Sequence, residues 1–161
     1  MNLPEGGLKV STTNPKRIVL ISSIAGQAAS LTTPLYSASK HAISGFIRGL
    51  GQLEADTGIR VNGVAPGLVK TPLWTADKLI VVDESVDEWI TPQEVALGML
   101  SCVADPEIGG GYVMEVLKGK RRNVDWRNDP GPSGPGSTVT NRAVLKEQVI
   151  GLIREPGWGV T

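Results

Sequence analysis

The sequence offers little for metal or disulfide chemistry: Cys102 is its only cysteine and His41 its only histidine. A lone cysteine rules out an internal disulfide, and the pair of them argues against a zinc site of the usual nitrogen and sulfur ligands. No Asn-x-Ser/Thr acceptor occurs either, so the expected compartment is the reducing cytoplasm. An excess of one charge sign is also missing, with 16 basic residues against 16 acidic ones. That balance removes the field that would draw nucleic acid or an anionic membrane. No apolar run approaches the ~20 residues of a membrane span, and the start "MNLPEGGLKVSTTNPKR" lacks the apolar stretch of a signal peptide. Aromatic residues make up only 4% of the chain. The basic cluster "KGKRR" (Lys118 to Arg122) therefore reads as a solvated strand end and not as a stacking platform for nucleic acid.

What is present suits one domain. The chain has 161 residues, of which 40% are hydrophobic, enough for a sizeable core. Residues 1–16 are rich in Gly, Pro, Ser, Thr and Asn without apolar periodicity, and read as a flexible segment. "RIVLIS" (Arg17 to Ser22) is dense in β-branched residues and predicts a parallel strand buried on both faces. Pro34 then opens an amphipathic helix over 34–56, with Ala42, Ile43, Phe46, Ile47, Leu50 and Leu53 at helical spacing and Gly58 as its stop. "IRVNGVAP" (Ile59 to Pro66) is a second strand, so strand, helix and strand make a parallel crossover of a doubly wound α/β sheet. "TPQEVALGMLSCVAD" (Thr91 to Asp105) carries a capping threonine, a proline at the first helical position and Glu94 at the capping-box position. "GYVMEVL" (Gly111 to Leu117) predicts a further strand. From 118 to 161 the character changes to a C-terminal extension containing "NDPGPSGPGS" and a short helical pattern through Val144, Leu145, Val149, Leu152 and Ile153.

The chemistry gathers in "ISSIAGQAASLTTPLYSASKHAISGF", residues 21–46. Ligands of open α/β sheets sit beyond the carboxyl ends of the strands. Ser22, Ser23, Pro66 and Gly67 all lie at such ends, while Tyr36 and Lys40, one helical turn apart, share a face near the start of the connecting helix. A phenol is a poor base at neutral pH, and a nearby ammonium favours its ionised form, so Lys40 is placed to make Tyr36 a proton donor and acceptor. Ser23 would hold the substrate oxygen. Tyr-x-x-x-Lys arises often by chance; the serine thirteen residues earlier and the Pro-Gly turn after the next strand are what give it weight. His41 faces about a quarter turn away and reads as structural or exposed.

"VLISSIAG", "YSASKHA" and "IRVNGVAPGLVKTPL", in this order, resemble the C-terminal half of the short-chain dehydrogenase/reductase family over roughly residues 17–117. The resemblance implies a Rossmann-like fold and an oxidoreductase that uses NAD or NADP to interconvert a secondary alcohol and a ketone on a hydrophobic small molecule. It implies catalytic roles for Ser23, Tyr36 and Lys40. It also implies that Tyr36, Lys40, Pro66, Gly67, Val69 and Thr71 contact the nicotinamide end of the cofactor. "SSIAG" and "WRNDPGPSGPG" are similar to fungal members related to 15-hydroxyprostaglandin dehydrogenase, many of which act in secondary metabolism. Trp74, within Lys70 to Ile90, falls where the family carries its variable substrate lid, with core packing an equal alternative; Trp89, Trp126 and Trp158 are assigned to packing or surface.

No TGxxxGxG turn precedes Arg17, and Asn2 is too close to Ser23 to be the asparagine of the family's proton relay. The expectation is therefore a fold whose N-terminal dinucleotide-binding half, on the order of ninety residues, is absent. "GPSGPG" (Gly131 to Gly136) is no substitute, because its prolines remove the N–H donors that a phosphate cradle needs. The alternative reading is a truncated, catalytically inactive remnant or scaffold. In either case a homo-oligomer is expected through the 34–56 helix, where Gly45, Gly49 and Gly51 allow close approach.

Overall fold

The computed structural model describes residues 10–11, 14–28, 30–125 and 142–155. Most of the N-terminal segment, Trp126, Trp158 and the Gly131–Gly136 stretch lie outside these residues. The chain divides into two compact units, Met1–Val124 and Asp125–Thr161. In the second, a helix spans Arg142–Arg154 (α5), over the segment where the apolar pattern predicts one.

The first unit is built on a four-stranded sheet. Its elements run β1 (Lys16–Ile21), a 3-10 turn (Ile24–Gly26), α1 (Pro34–Gly49), α2 (Leu53–Thr57), β2 (Ile59–Pro66), α3 (Ala76–Leu79), α4 (Pro92–Ala104), β3 (Val113–Leu117) and β4 (Lys120–Asn123). The strand order is β1-β2-β3-β4. β1 pairs with β2 and β2 with β3 in parallel, while β4 returns antiparallel to β3. Both crossovers carry a helix, as parallel neighbours require.

β2 is the centre of the fold, buried from Arg60 to Pro66. Alternate residues serve opposite faces. Val64 joins Met114, Val116, Val95, Cys102, Ile90 and Ile108 in the cluster under α4. Ala65 joins Val113, Val124 and Ile47 of α1 in the other. The mostly apolar sequence of β2 thus reflects burial from both sides.

Three expectations change. β1 is not buried on both faces: Ile18 and Ile21 are 47% and 50% exposed, because β1 is the sheet edge among the described residues, and Val19 and Leu20 are its residues packed against the two clusters. The expected 34–56 helix is two helices broken at Leu50–Gln52. The physical cause is a close crossing of two glycines: a Cβ on Gly51 would stand 3.1 Å from the Gly110 carbonyl oxygen, and one on Gly110 would stand 2.6 Å from that of Gly51. The chain turns there to let the loop before β3 pass. Finally, the basic cluster is more than a strand end, since Lys120–Asn123 pairs along β3 as a fourth strand, with Arg122 Nε donating to Glu115 Oε1 at 2.7 Å.

Candidate active site

β1 and β2 run parallel, so Ser22 and Ser23 after the one and Gly67 to Thr71 after the other lie beyond the same edge of the sheet. Ser23 is the N-cap of the 3-10 turn. Its Oγ accepts from the Ala25 N–H at 3.1 Å. A hydroxyl has one hydrogen and two acceptor sites, so this cap uses an acceptor site and leaves the O–H to donate. Ser23 is buried at this turn, with 9% of its surface exposed.

Tyr36 is the third residue of α1, one turn before Lys40, and is 49% exposed. The Lys40 ammonium stands 5.5 Å from the centre of the Tyr36 ring. The same Nζ donates to the Ile21 carbonyl at 3.1 Å. Ile21 is two residues before Ser23, so the lysine spans from the phenol ring to the strand end that carries the serine. The α1 backbone is tied to the same place: Ser22 Oγ donates to the Lys40 carbonyl at 3.0 Å. The structure therefore brings the segments bearing Ser23, Tyr36 and Lys40 to one edge.

On the neighbouring strand, Pro66 is buried at the end of β2, and the Gly67 N–H donates to the Val116 carbonyl at 3.0 Å. That N–H is spent on the sheet. Val69 forms a parallel bridge with Ile90, flanked by Ile90 N–H to Leu68 O and Lys70 N–H to Ile90 O, both 2.8 Å. The bridge staples the two ends of the 70–90 excursion and leaves half-buried Thr71 at the sheet edge. Trp74 and Trp89 meet edge to face within this excursion, with centroids 5.4 Å apart. They are each other's packing partner. His41 is exposed and donates from Nδ1 to the Ser37 carbonyl at 2.9 Å.

Several residues around the site have no clear signature in the sequence. Ser44 Oγ lies 2.8 Å from Ser22 Oγ, and Gly26 packs against the backbone at Lys40. Asn62, fully buried in β2, accepts the Tyr112 N–H at 3.0 Å and donates to the Cys102 carbonyl at 3.4 Å. Its one signal is an amide within an otherwise apolar run. Glu115 is buried and held by two 2.7 Å bonds from Arg122, whose other contact is the Gln27 side-chain oxygen at 3.4 Å. That chain of contacts leads from the β3–β4 hairpin to the turn after Ser23. Burial pushes the Cys102 thiol upward from its ordinary range, against a smaller opposing pull from Arg60. The thiol packs in the cluster under α4, with its Sγ 3.9 Å from the Gly63 carbonyl oxygen.

Residues 10–79 match the family described as short chain dehydrogenase. The chain is 30% identical over 121 residues to 15-hydroxyprostaglandin dehydrogenase (NAD(+)) of Rattus norvegicus, an alignment covering 64% of this chain and 44% of the relative. A structure of actinorhodin polyketide ketoreductase with NADPH is 30% identical, with a TM-score of 0.54 over 65% of this chain and 47% of that one. 4-Hydroxyisoleucine dehydrogenase complexed with NADH and succinate is 30% identical at a TM-score of 0.50, over 62% of this chain and 43% of the other. The chain spans less than half the length of the curated relatives it matches. With the parallel α/β framework running from β1 to β3, these similarities in sequence and fold liken the chain to a portion of the short-chain dehydrogenase/reductase oxidoreductases, the family match itself covering residues 10–79.

Proposed function

We propose that the Ser23–Tyr36–Lys40 edge handles the proton in the NAD- or NADP-linked interconversion of a secondary alcohol and a ketone. The observation that carries this reading is the placement of Lys40, over the Tyr36 ring at 5.5 Å and on the Ile21 carbonyl at 3.1 Å. It couples phenol to strand end.

The donor set fits the nicotinamide and ribose end of such a cofactor. An ammonium has three hydrogens, and the Ile21 carbonyl takes one, which leaves two for a ribose diol. Thr71 and the backbone after Pro66 stand at the edge where a carboxamide would lie. The bound nicotinamide would supply or take the hydride at carbon. Ser23, its O–H free to donate, orients the substrate oxygen. In reduction the Tyr36 phenol gives its proton to that oxygen; in oxidation the phenolate takes the proton back.

A hydrophobic substrate is supported by the 70–90 excursion beside this edge, where Leu73, Leu79, Ile80 and Val81 are all exposed. The likeness to a polyketide ketoreductase supports a place in secondary metabolism. The cytoplasm remains the proposed compartment; among the described residues no helix is long and apolar enough to cross a membrane.

The test is to titrate the purified, folded chain with NADH and NADPH, following tryptophan-to-nicotinamide energy transfer, and then to screen ketones. Saturable binding with turnover that Tyr36→Phe lowers by ~100-fold or more, at unchanged cofactor affinity, is the expected result. Turnover retained in Tyr36→Phe overturns the mechanism. A second reading, a catalytically inactive scaffold, draws on the half-exposed Ile18 and Ile21 of β1, which offer a strand edge for pairing. A folded chain that binds neither cofactor selects it.

A further inference from the structure

Ser22 and Ser44 have no part in the chemistry above, yet each is only 2% exposed. Ser22 follows β1, and Ser44 lies on α1 one turn beyond Lys40. Their hydroxyl oxygens are 2.8 Å apart, and Ser22 Oγ is 3.0 Å from the Lys40 carbonyl. Ser22 has a single hydrogen, which goes to the carbonyl, so Ser44 is the donor between the two serines. Gly26 closes on the same atom, since a Cβ there would stand 2.7 Å from the Lys40 oxygen. Both ends of the "SSIAG" segment thus bear on one carbonyl of α1, with Ser23 held between them.

The buried positions of α1 are Ser37, Ser44 and Ile47. Only Ile47, nearly two turns beyond Lys40, is a large apolar side chain. Half-buried Ile43 packs with it against the cluster on that face; before Ile43, at the site end of the helix, no large apolar side chain is buried to resist sliding along, or rotation about, the helix axis. Directional bonds there must set the register, because small side chains give packing little purchase. We propose that Ser22 and Ser44 are positioning residues that fix the register of α1 against the Ser23 turn, and so the span from the Ser23 hydroxyl to the Tyr36–Lys40 pair. Loss of the Ser44 hydroxyl leaves Ser22 without its donor and lets the helix start drift. A drift of about 1 Å is enough to cost up to ~100-fold in rate.

This inference rests on the oxidoreductase reading for its kinetic readout, and amide hydrogen exchange supplies one that does not. The variants are Ser44→Ala, the conservative Ser44→Thr, and Ser37→Ala as control, whose buried hydroxyl has no hydrogen-bond partner among the described residues. Ser44→Ala is expected to lower kcat by ~10- to ~100-fold with KM within about twofold. It should also speed exchange in residues 22–27 and 34–44 together while β2 and β3 stay protected. Ser44→Thr should recover much of the loss, and Ser37→Ala should match the wild type. Should the wild type show no turnover, the oxidoreductase reading fails and exchange alone decides. Unchanged exchange in both segments, or a uniform rise across the whole sheet, overturns the positioning role.

Discussion

Asn62 shows how much one buried polar group can hold. Its amide reaches two elements, the α4 end through the Cys102 carbonyl and the loop before β3 through the Tyr112 N–H. Asn62→Ala takes the side-chain partner from both backbone groups, and leaving a buried partner unmet costs more than the bond itself contributed. Urea unfolding should show a loss of about 2 kcal/mol, and the midpoint should move without a change in slope. The same contrast explains which residues of the candidate site can be picked out from the sequence. Ser23, Tyr36 and Lys40 are legible because each carries a distinct chemistry and their spacing places them at a strand end and on one helical face. Ser22, Ser44 and Gly26 are not, because a small residue gives no sign of its partner, and the carbonyl on which Ser22 and Gly26 bear belongs to a residue already claimed for another reason.

At the level of elements, α4 is the piece whose start is written fully in the sequence. Thr91 Oγ1 accepts the Glu94 N–H at 3.2 Å, and Glu94 Oε2 accepts the Thr91 N–H at 2.8 Å. The backbone and then the hydroxyl of Thr91 hold the Glu94 carboxyl below its ordinary range. A carboxylate whose folded-state pKa is depressed adds stability above its unfolded pKa and loses it as the pH falls through the folded value. The melting temperature should therefore fall on the acid side, while Glu94→Gln starts lower near neutrality and converges with the wild type as the acid range is crossed. Parallel melting curves from neutral pH to about pH 3 check this, and curves that stay a constant distance apart would contradict it. The capping box is local and so could be read directly, within three residues. The break between α1 and α2 could not, because its cause is Gly110, 59 positions from Gly51 and brought beside it by the fold. The exposure of β1 escaped for a related reason: an apolar run states that a strand can be buried on both faces, while its place in the sheet decides whether it is.

For the molecule as a whole, the open question is what covers its apolar surface. The outward face of α1 carries Leu35 at 86% and Phe46 at 59% exposure, and Gly45 and Gly49 have nothing within 4 Å of where a Cβ would be. A large apolar side chain flanked by bare backbone is a surface that a second helix can approach closely. Were two copies to associate through this face, Phe46 would pack against the glycines of the partner copy, with Leu35 toward the rim. Burying one aromatic side chain contributes roughly 2 kcal/mol, so the two Phe46 side chains would dominate such a small isologous contact. Sedimentation velocity across a concentration series should show a dimer that weakens by up to ~1,000-fold in Phe46→Asp, since both copies lose the side chain and ~4 kcal/mol corresponds to a factor of about 1,000. Circular dichroism should be unchanged, because Phe46 contributes to neither buried cluster. If the association survives Phe46→Asp and falls instead on replacing Ile18 and Ile21 with lysine, the contact runs along the β1 edge, where added charge blocks strand pairing. That result would also favour the scaffold reading, because the face that joins the copies would then be the strand end that carries Ser23.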